Sequence, residues 1–177
     1  MSALRISACA ALLATACLAA GPAFSHVTLE TPQAPIGHSY KAVLRVPHGC
    51  QGSATTAIRI QIPEGLIGVK PQPKAGWTLH LKQGKYETPH SLYGSKVESG
   101  VREIAWSGGV LPDGYYDEFV FVGYLSNDLA PGETLYLPVV QECETGVMRW
   151  IDKPSGDATA DHASTPAPTL KLLPKQP

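Results

Sequence analysis

Basic clusters are missing from this chain. Its 14 Lys and Arg are dispersed among 15 Asp and Glu, for a formal net charge of -1, and charged residues make up only 16% of the sequence. Without a basic stripe there is no electrostatic footprint for nucleic acid or for an anionic membrane surface. Sustained helical periodicity is missing as well, which argues against a helix bundle. The one long apolar run, Ile6 to Ala20, falls short of the roughly 20 residues a membrane helix needs, and no later stretch approaches it.

That run has its own context. Met1 to Arg5 carries one positive charge, and a Gly21-Pro22 break separates the run from the small-residue triplet Ala23-Phe24-Ser25. This is the order of a secretory signal peptide, residues 1–25, and predicts a cut between Ser25 and His26. A rival cut before Cys17 weakly resembles lipoprotein processing, but Ala14 stands where such sites usually carry Leu. The expected mature protein begins at His26, is periplasmic or extracellular, and loses Arg5, which takes the formal charge to -2.

Cysteine is scarce too. Of the four, Cys9 and Cys17 leave with the signal peptide, so only Cys50 and Cys143 remain. Two cysteines in an oxidising compartment favour a disulfide over a thiolate metal site. Closing a loop of about 94 residues would contribute roughly 4 to 5 kcal/mol on the chain-entropy account.

What is present is two-residue alternation between turn signals. "SYKAVLRVP" places Tyr40, Ala42, Leu44 and Val46 on one face and Lys41 and Arg45 on the other. "TTAIRIQIP" alternates Ile58, Ile60 and Ile62 with Arg59 and Gln61. "WTLHL", "VREIAW", "DEFVFVGY", "TLYLPVV" and "GVMRWI" read the same way, separated by Gly, Pro, Asp and Asn. Many short strands at this spacing predict an all-β fold, a β-sandwich, over residues 26–152. Pro138 inside its run implies a sheet edge or a bulge. Residues 153–177 read as a polar Pro/Ala-rich C-terminal tail, whose "TLKLLP" either returns as an edge strand or stays loose.

All six histidines follow Ser25. His80, between Leu79 and Leu81, reads as an outward strand residue, and His90 and His162 as polar loop residues. His26 differs because of its position. At a new N-terminus its α-amine has a pKa of about 7.7 to 8.0. Amine and imidazole Nδ1 of one residue then close a chelate suited to Cu(II). His48, in "VPHGC" beside Cys50, is the natural third donor. If Cys50 and Cys143 are bridged, Trp150 comes close to the same loop, either as a core residue or as an indole shielding the metal. Trp77 and Trp106 read as core.

The stretches "HVTLETPQAPIGHSYKAVLRVPHGC", "TTAIRIQIPEG", "PKAGWTL", "DEFVFVGYL" and "RW" together resemble the YcnI-like family of exported bacterial copper-binding domains. The resemblance implies a cupredoxin-like or immunoglobulin-like β-sandwich. It implies a Cu(II) site built on His26, a carboxylate from the loop after the "VP" strand, and Trp150. This chain carries His48 where that carboxylate is expected, which points to a two-histidine brace of His26 and His48. Glu30, Glu142 and Glu144 remain carboxylate candidates. The expected function is non-enzymatic, a copper chaperone in delivery, import or tolerance. Its expected partners are the copper ion and a membrane copper transporter or another periplasmic copper chaperone. The alternatives are a copper-dependent polysaccharide monooxygenase, with Tyr115 and Tyr116 on its surface, and a metal-free adhesion sandwich.

Overall fold

Alternation becomes strand in the computed structural model, which describes residues 26–153 and 165–177, and no helix occurs among them. The expected signal peptide and His162 lie outside the described residues. In chain order the strands are β1 (Thr28–Leu29), β2 (Gln33–Pro35), β3 (Ser39–Val46), β4 (Thr55–Gln61), β5 (Leu66–Pro71) and β6 (Thr78–Leu92). There follow β7 (Ser95–Leu111), β8 (Asp117–Leu125), β9 (Thr134–Tyr136), β10 (Val139–Cys143), β11 (Val147–Trp150) and β12 (Thr169–Leu173).

They form a four-stranded sheet, β1-β3-β8-β5, a five-stranded sheet, β11-β10-β4-β7-β6, and a three-stranded sheet, β2-β12-β9. In the first sheet the apolar face of β3 meets that of β8 in register, with Ala42 opposite Phe121 and Leu44 opposite Phe119. In the second, Ile58 lies opposite Trp106 and Ile60 opposite Ile104. All eight of these side chains are buried. The faces pack against each other as a β-sandwich, and Trp106 meets Phe119 across the layer edge-on, with ring centroids 5.4 Å apart. A buried indole needs a partner for its N–H. That of Trp106 donates to Gln72 O at 3.0 Å. Tyr40 is likewise satisfied, its hydroxyl donating to Thr31 O at 2.7 Å, and burial pushes its pKa up to about 12.

Three features differ from the sequence reading. Pro138 marks neither a bulge nor the edge of one strand. It is the corner where the chain leaves β9 for β10 in a different sheet, with Leu137 fully buried there and the Pro138 carbonyl accepting from Gln61 N at 2.9 Å. Residues 169–173 are not part of a tail. β12 is the central strand of its sheet, parallel to β2 and antiparallel to β9, because alternation buries Leu170 and Leu172. Finally, the short strands read at 77–81 and 101–106 are parts of one long hairpin, β6 and β7, closed by Tyr93-Gly94. Both of those residues have positive φ, 50° and 82°. That is the requirement of the tight hairpin turn whose twist suits its strands. Pro89 is accommodated where the register shifts between Lys85 and His90.

Candidate functional site

The site grows from one pairing register. β1 and β3 are antiparallel, with Leu29 opposite Leu44 and Thr28 opposite Arg45. Continued two residues, that register sets His26 opposite Pro47, the neighbour of His48. Burial of Val27 and Leu29 anchors the segment to the sandwich, so residue 26 is held beside the end of β3.

Beyond β3 the chain crosses from the first sheet to the second through residues 47–54, and this crossover carries His48. It is fastened at several points. Cys50 is disulfide-bonded to Cys143 at the end of β10, as expected, with Cα atoms 6.0 Å apart. Cys50 and Ser53 exchange backbone hydrogen bonds of 2.9 and 3.0 Å. Gly49 N donates to Asp113 Oδ1 at 3.0 Å, tying in the turn after β7. Glycine is required here by close approach, since a Cβ at position 49 would lie 1.8 Å from Ser53 O. His48 itself is half-buried, and its Nδ1 lies 2.6 Å from Gly49 O. A carbonyl only accepts, so Nδ1 donates. In the neutral ring the lone pair then lies on Nε2, the tautomer of an imidazole that ligates through Nε2.

Trp150 stands between the two histidines. It is 1% exposed, and its indole meets the His26 ring at 5.8 Å (87° between planes) and the His48 ring at 6.4 Å (66°). The indole N–H donates to Gln141 Oε1 at 2.9 Å. Gln141, fully buried, in turn donates from Nε2 to His48 O and to Thr55 Oγ1, both at 2.7 Å.

Two of the three carboxylate candidates are engaged elsewhere. Glu30 pairs with Arg45 at 2.9 Å and Glu142 with Arg59 at 2.7 Å. Glu144 follows Cys143 and binds Ala54 O through its backbone N at 2.9 Å. Among the described residues, no three His, Cys, Asp or Glu side chains gather where they could hold a metal. Among the described residues, two imidazoles on one indole are therefore what the side chains offer, and the backbone nitrogen of His26 is the further donor beside them. In the full chain His26 N is an amide bonded to Ser25; it becomes an amine only on cleavage. A shallow pocket lined by Cys50, Gln51, Ser53, Gly146 and Met148 lies against the disulfide and includes neither histidine.

Residues 26–172 match the family described as a domain of unknown function, DUF1775, which is the YcnI-like family domain. The chain belongs to this family. Its DUF1775 domain is similar in structure to an uncharacterized protein from Nocardia farcinica, whose crystal structure reveals an immunoglobulin-like fold. The two are 25% identical, with a TM-score of 0.60 over 84% of this chain and 98% of that one. No curated protein matches the chain in sequence. The fold of this DUF1775 domain is thus an immunoglobulin-like β-sandwich, in agreement with its strand pattern.

Elsewhere in the DUF1775 domain, His90 corrects an expectation. It is not a surface loop residue but a β6 residue, 6% exposed and held between two carboxylates. Nε2 lies 2.8 Å from Glu64 Oε1 and Nδ1 3.1 Å from Asp128 Oδ2. Ser126 Oγ donates to the same Asp128 oxygen at 2.8 Å, and Tyr86 packs on the His90 ring at 5.3 Å. Arg102 Nη1 approaches Glu64 Oε2 at 2.9 Å without hydrogen-bond alignment, a contact of charge with charge. The hydrogen bond from Ser126 and that from His90 lower the Asp128 pKa. His80, by contrast, is exposed on β6 as expected, and His38 lies at the surface with Nε2 donating to Gln176 O at 3.3 Å.

Proposed function

We propose that this DUF1775 domain, once residues 1–25 are removed, holds Cu(II) through the α-amine and imidazole of His26 and the imidazole of His48, with Trp150 beside the ion. The observation that carries this reading is the convergence of the His26 and His48 rings on one buried indole, at 5.8 and 6.4 Å. Nitrogen donors of this kind suit Cu(II), and an indole neighbour keeps water from one side of the ion. The set supplies few protein ligands at the end of the sandwich, the arrangement of a carrier that passes its metal on. We read the protein as a non-catalytic copper chaperone of the periplasm or cell exterior. A membrane copper transporter or another periplasmic copper chaperone would be its partner in delivery, import or tolerance.

The test is calorimetric titration of Cu(II) into protein beginning at His26, beside protein with one extra residue before it. The extra residue turns the amine into an amide while leaving the fold intact, so tight binding should be lost. Equal affinity in the two would remove the chelate.

A second reading has one observation in its favour. Tyr115 and Tyr116 are 68% and 66% exposed, on the turn that Asp113 ties to Gly49. Exposed aromatics beside a two-histidine copper site would suit a polysaccharide-cleaving monooxygenase. Peroxide-dependent release of oxidised oligosaccharides by the copper-loaded protein would establish it over the carrier.

A further inference from the structure

Gln141 is a residue that strand patterning would place on an outward face, since polar residues of a half-buried strand point to water. It does the opposite. In register it lies opposite Ile58 of β4 and Met148 of β11, on the row that also holds Val139 and Trp150, and it is fully buried. Burying a primary amide is costly unless its hydrogen bonds are made. Here both Nε2 protons and Oε1 are used: Nε2 donates to His48 O and Thr55 Oγ1, and Oε1 accepts from Trp150 Nε1.

The identities of those partners matter more than their number. One side chain holds the main chain of His48 and the ring of Trp150. It therefore couples the crossover loop of one sheet to the last strand of the other. The disulfide from Cys50 to Cys143 restrains the same loop two residues further on. It fixes where the loop is but not how the His48 peptide is turned, whereas a hydrogen bond to the His48 carbonyl sets that orientation and with it the direction of the imidazole. The same amide sets the tilt of the indole on which both histidine rings rest.

We propose that Gln141 is the positioning residue of the copper site: it touches no metal ligand atom, but sets the relative placement of His48 and Trp150. This rests on the copper reading above, and leads to a specific expectation. Gln141→Met keeps the length and volume of the side chain but removes every hydrogen bond. Cu(II) affinity should then fall by about tenfold or more although His26, His48 and Trp150 are all present. The nitrogen couplings in the copper spin-resonance spectrum should broaden or change as His48 loses a defined orientation. Gln141→Glu separates the two links, because a carboxylate can still accept from the indole but cannot donate to the His48 carbonyl. It should retain the Trp150 bond and lose the His48 placement.

The experiment compares these variants with wild type and with Ile104→Val, a core change on β7 that lowers stability away from the site. Ile104→Val should leave affinity and spectrum unchanged; a drop equal to that of Gln141→Met would make the effect one of general stability and overturn the proposal. Metal-free nuclear magnetic resonance of the wild type is the second arm and needs no variant. The Gln141 side-chain amide protons should exchange slowly and show proximity to His48 and to the indole. Fast exchange, as in an exposed glutamine, would overturn the proposal even if copper binds. A wild type that fails to bind Cu(II) would overturn the copper reading instead, while the metal-free arm still decides whether Gln141 sets the two rings.

Discussion

The His26 ring meets the indole of Trp150 edge-on, with centroids 5.8 Å apart and planes at 87°. An ion held by His26 would therefore lie close to one particular indole of the three in the chain. Trp106 is buried against Phe119 in the sandwich core, and Trp77 packs on the same ring at 5.0 Å. Cu(II) is a short-range quencher of indole emission. Adding it to protein that begins at His26 should quench fluorescence, and Trp150→Phe should remove most of that quenching, whereas Trp77→Phe should retain it. Quenching that survives Trp150→Phe would place the ion elsewhere.

His48 occupies the position where the YcnI-like resemblance leads one to expect a carboxylate, and this makes its substitution informative. His48→Ala should weaken Cu(II) binding at least about tenfold, roughly 1.4 kcal/mol, and simplify the nitrogen couplings in the spin-resonance spectrum. His80→Ala, on an exposed strand face, should do neither. Because imidazole and amine donors must shed protons to bind, affinity should also fall steeply below about pH 6. Copper retained well into acid would indicate carboxylate ligands, with Glu144 the first to replace.

The parts of this structure legible in the sequence are those with a local signature. Tyr40, Ala42, Leu44 and Val46 alternate with charged residues, and Ile58 and Ile60 do the same, so β3 and β4 announce themselves. The Cys50–Cys143 bridge is expected from the pair of cysteines that follow residue 25, and it is present. Residues 82–100, by contrast, are polar and contain Pro89, and no periodicity marks them as strand; long hairpin pairing overrides their weak propensity. The sequence reads His90 as a surface residue because its carboxylate partners, Glu64 and Asp128, come from loops remote in sequence. Gln141 was missed for the same reason: what makes it a core residue is a set of hydrogen bonds to positions 48, 55 and 150. Leu170 and Leu172 alternate visibly, but which sheet receives them depends on β2, which is too short to recognise, and on β9, which the sequence reads as one run with the start of β10.

The disulfide should serve both fold and loop. It closes a sequence separation of 93 residues, so replacing both cysteines by serine should lower unfolding free energy by about 2 to 5 kcal/mol in denaturant titration. Intact mass before and after reduction should differ by two hydrogens in protein recovered from an oxidising compartment. The loop carrying His48 would retain its bonds to Asp113 and Gln141 in the double variant, so copper affinity should fall less than in His48→Ala. A larger fall than in His48→Ala would mean that the bridge, not the hydrogen bonds, holds the loop.

His90 predicts an acid response that is independent of copper. Both of its ring nitrogens face carboxylate oxygens, Glu64 Oε1 and Asp128 Oδ2, and ionised carboxylates only accept. The pairing is therefore complete only when both nitrogens carry protons and both acids are ionised. Asp128 is the partner whose pKa is depressed, through its hydrogen bonds from Ser126 and His90. A carboxyl whose pKa is lower in the folded state contributes stability above its unfolded value, near pH 4, and loses it as pH falls through the folded value. Asp128→Asn should therefore lower stability at neutral pH and flatten the loss seen in wild type below about pH 4. The side chain of Asp128 is 65% exposed, so the effect should shrink in high salt. His90→Ala should cost more, about 1 to 3 kcal/mol, because it takes a hydrogen-bond partner from the carboxylate of Glu64, which is only 26% exposed. Urea unfolding of the three proteins between pH 3 and pH 7 decides the matter. Parallel stability curves for wild type and Asp128→Asn would show that Asp128 is not the group that titrates.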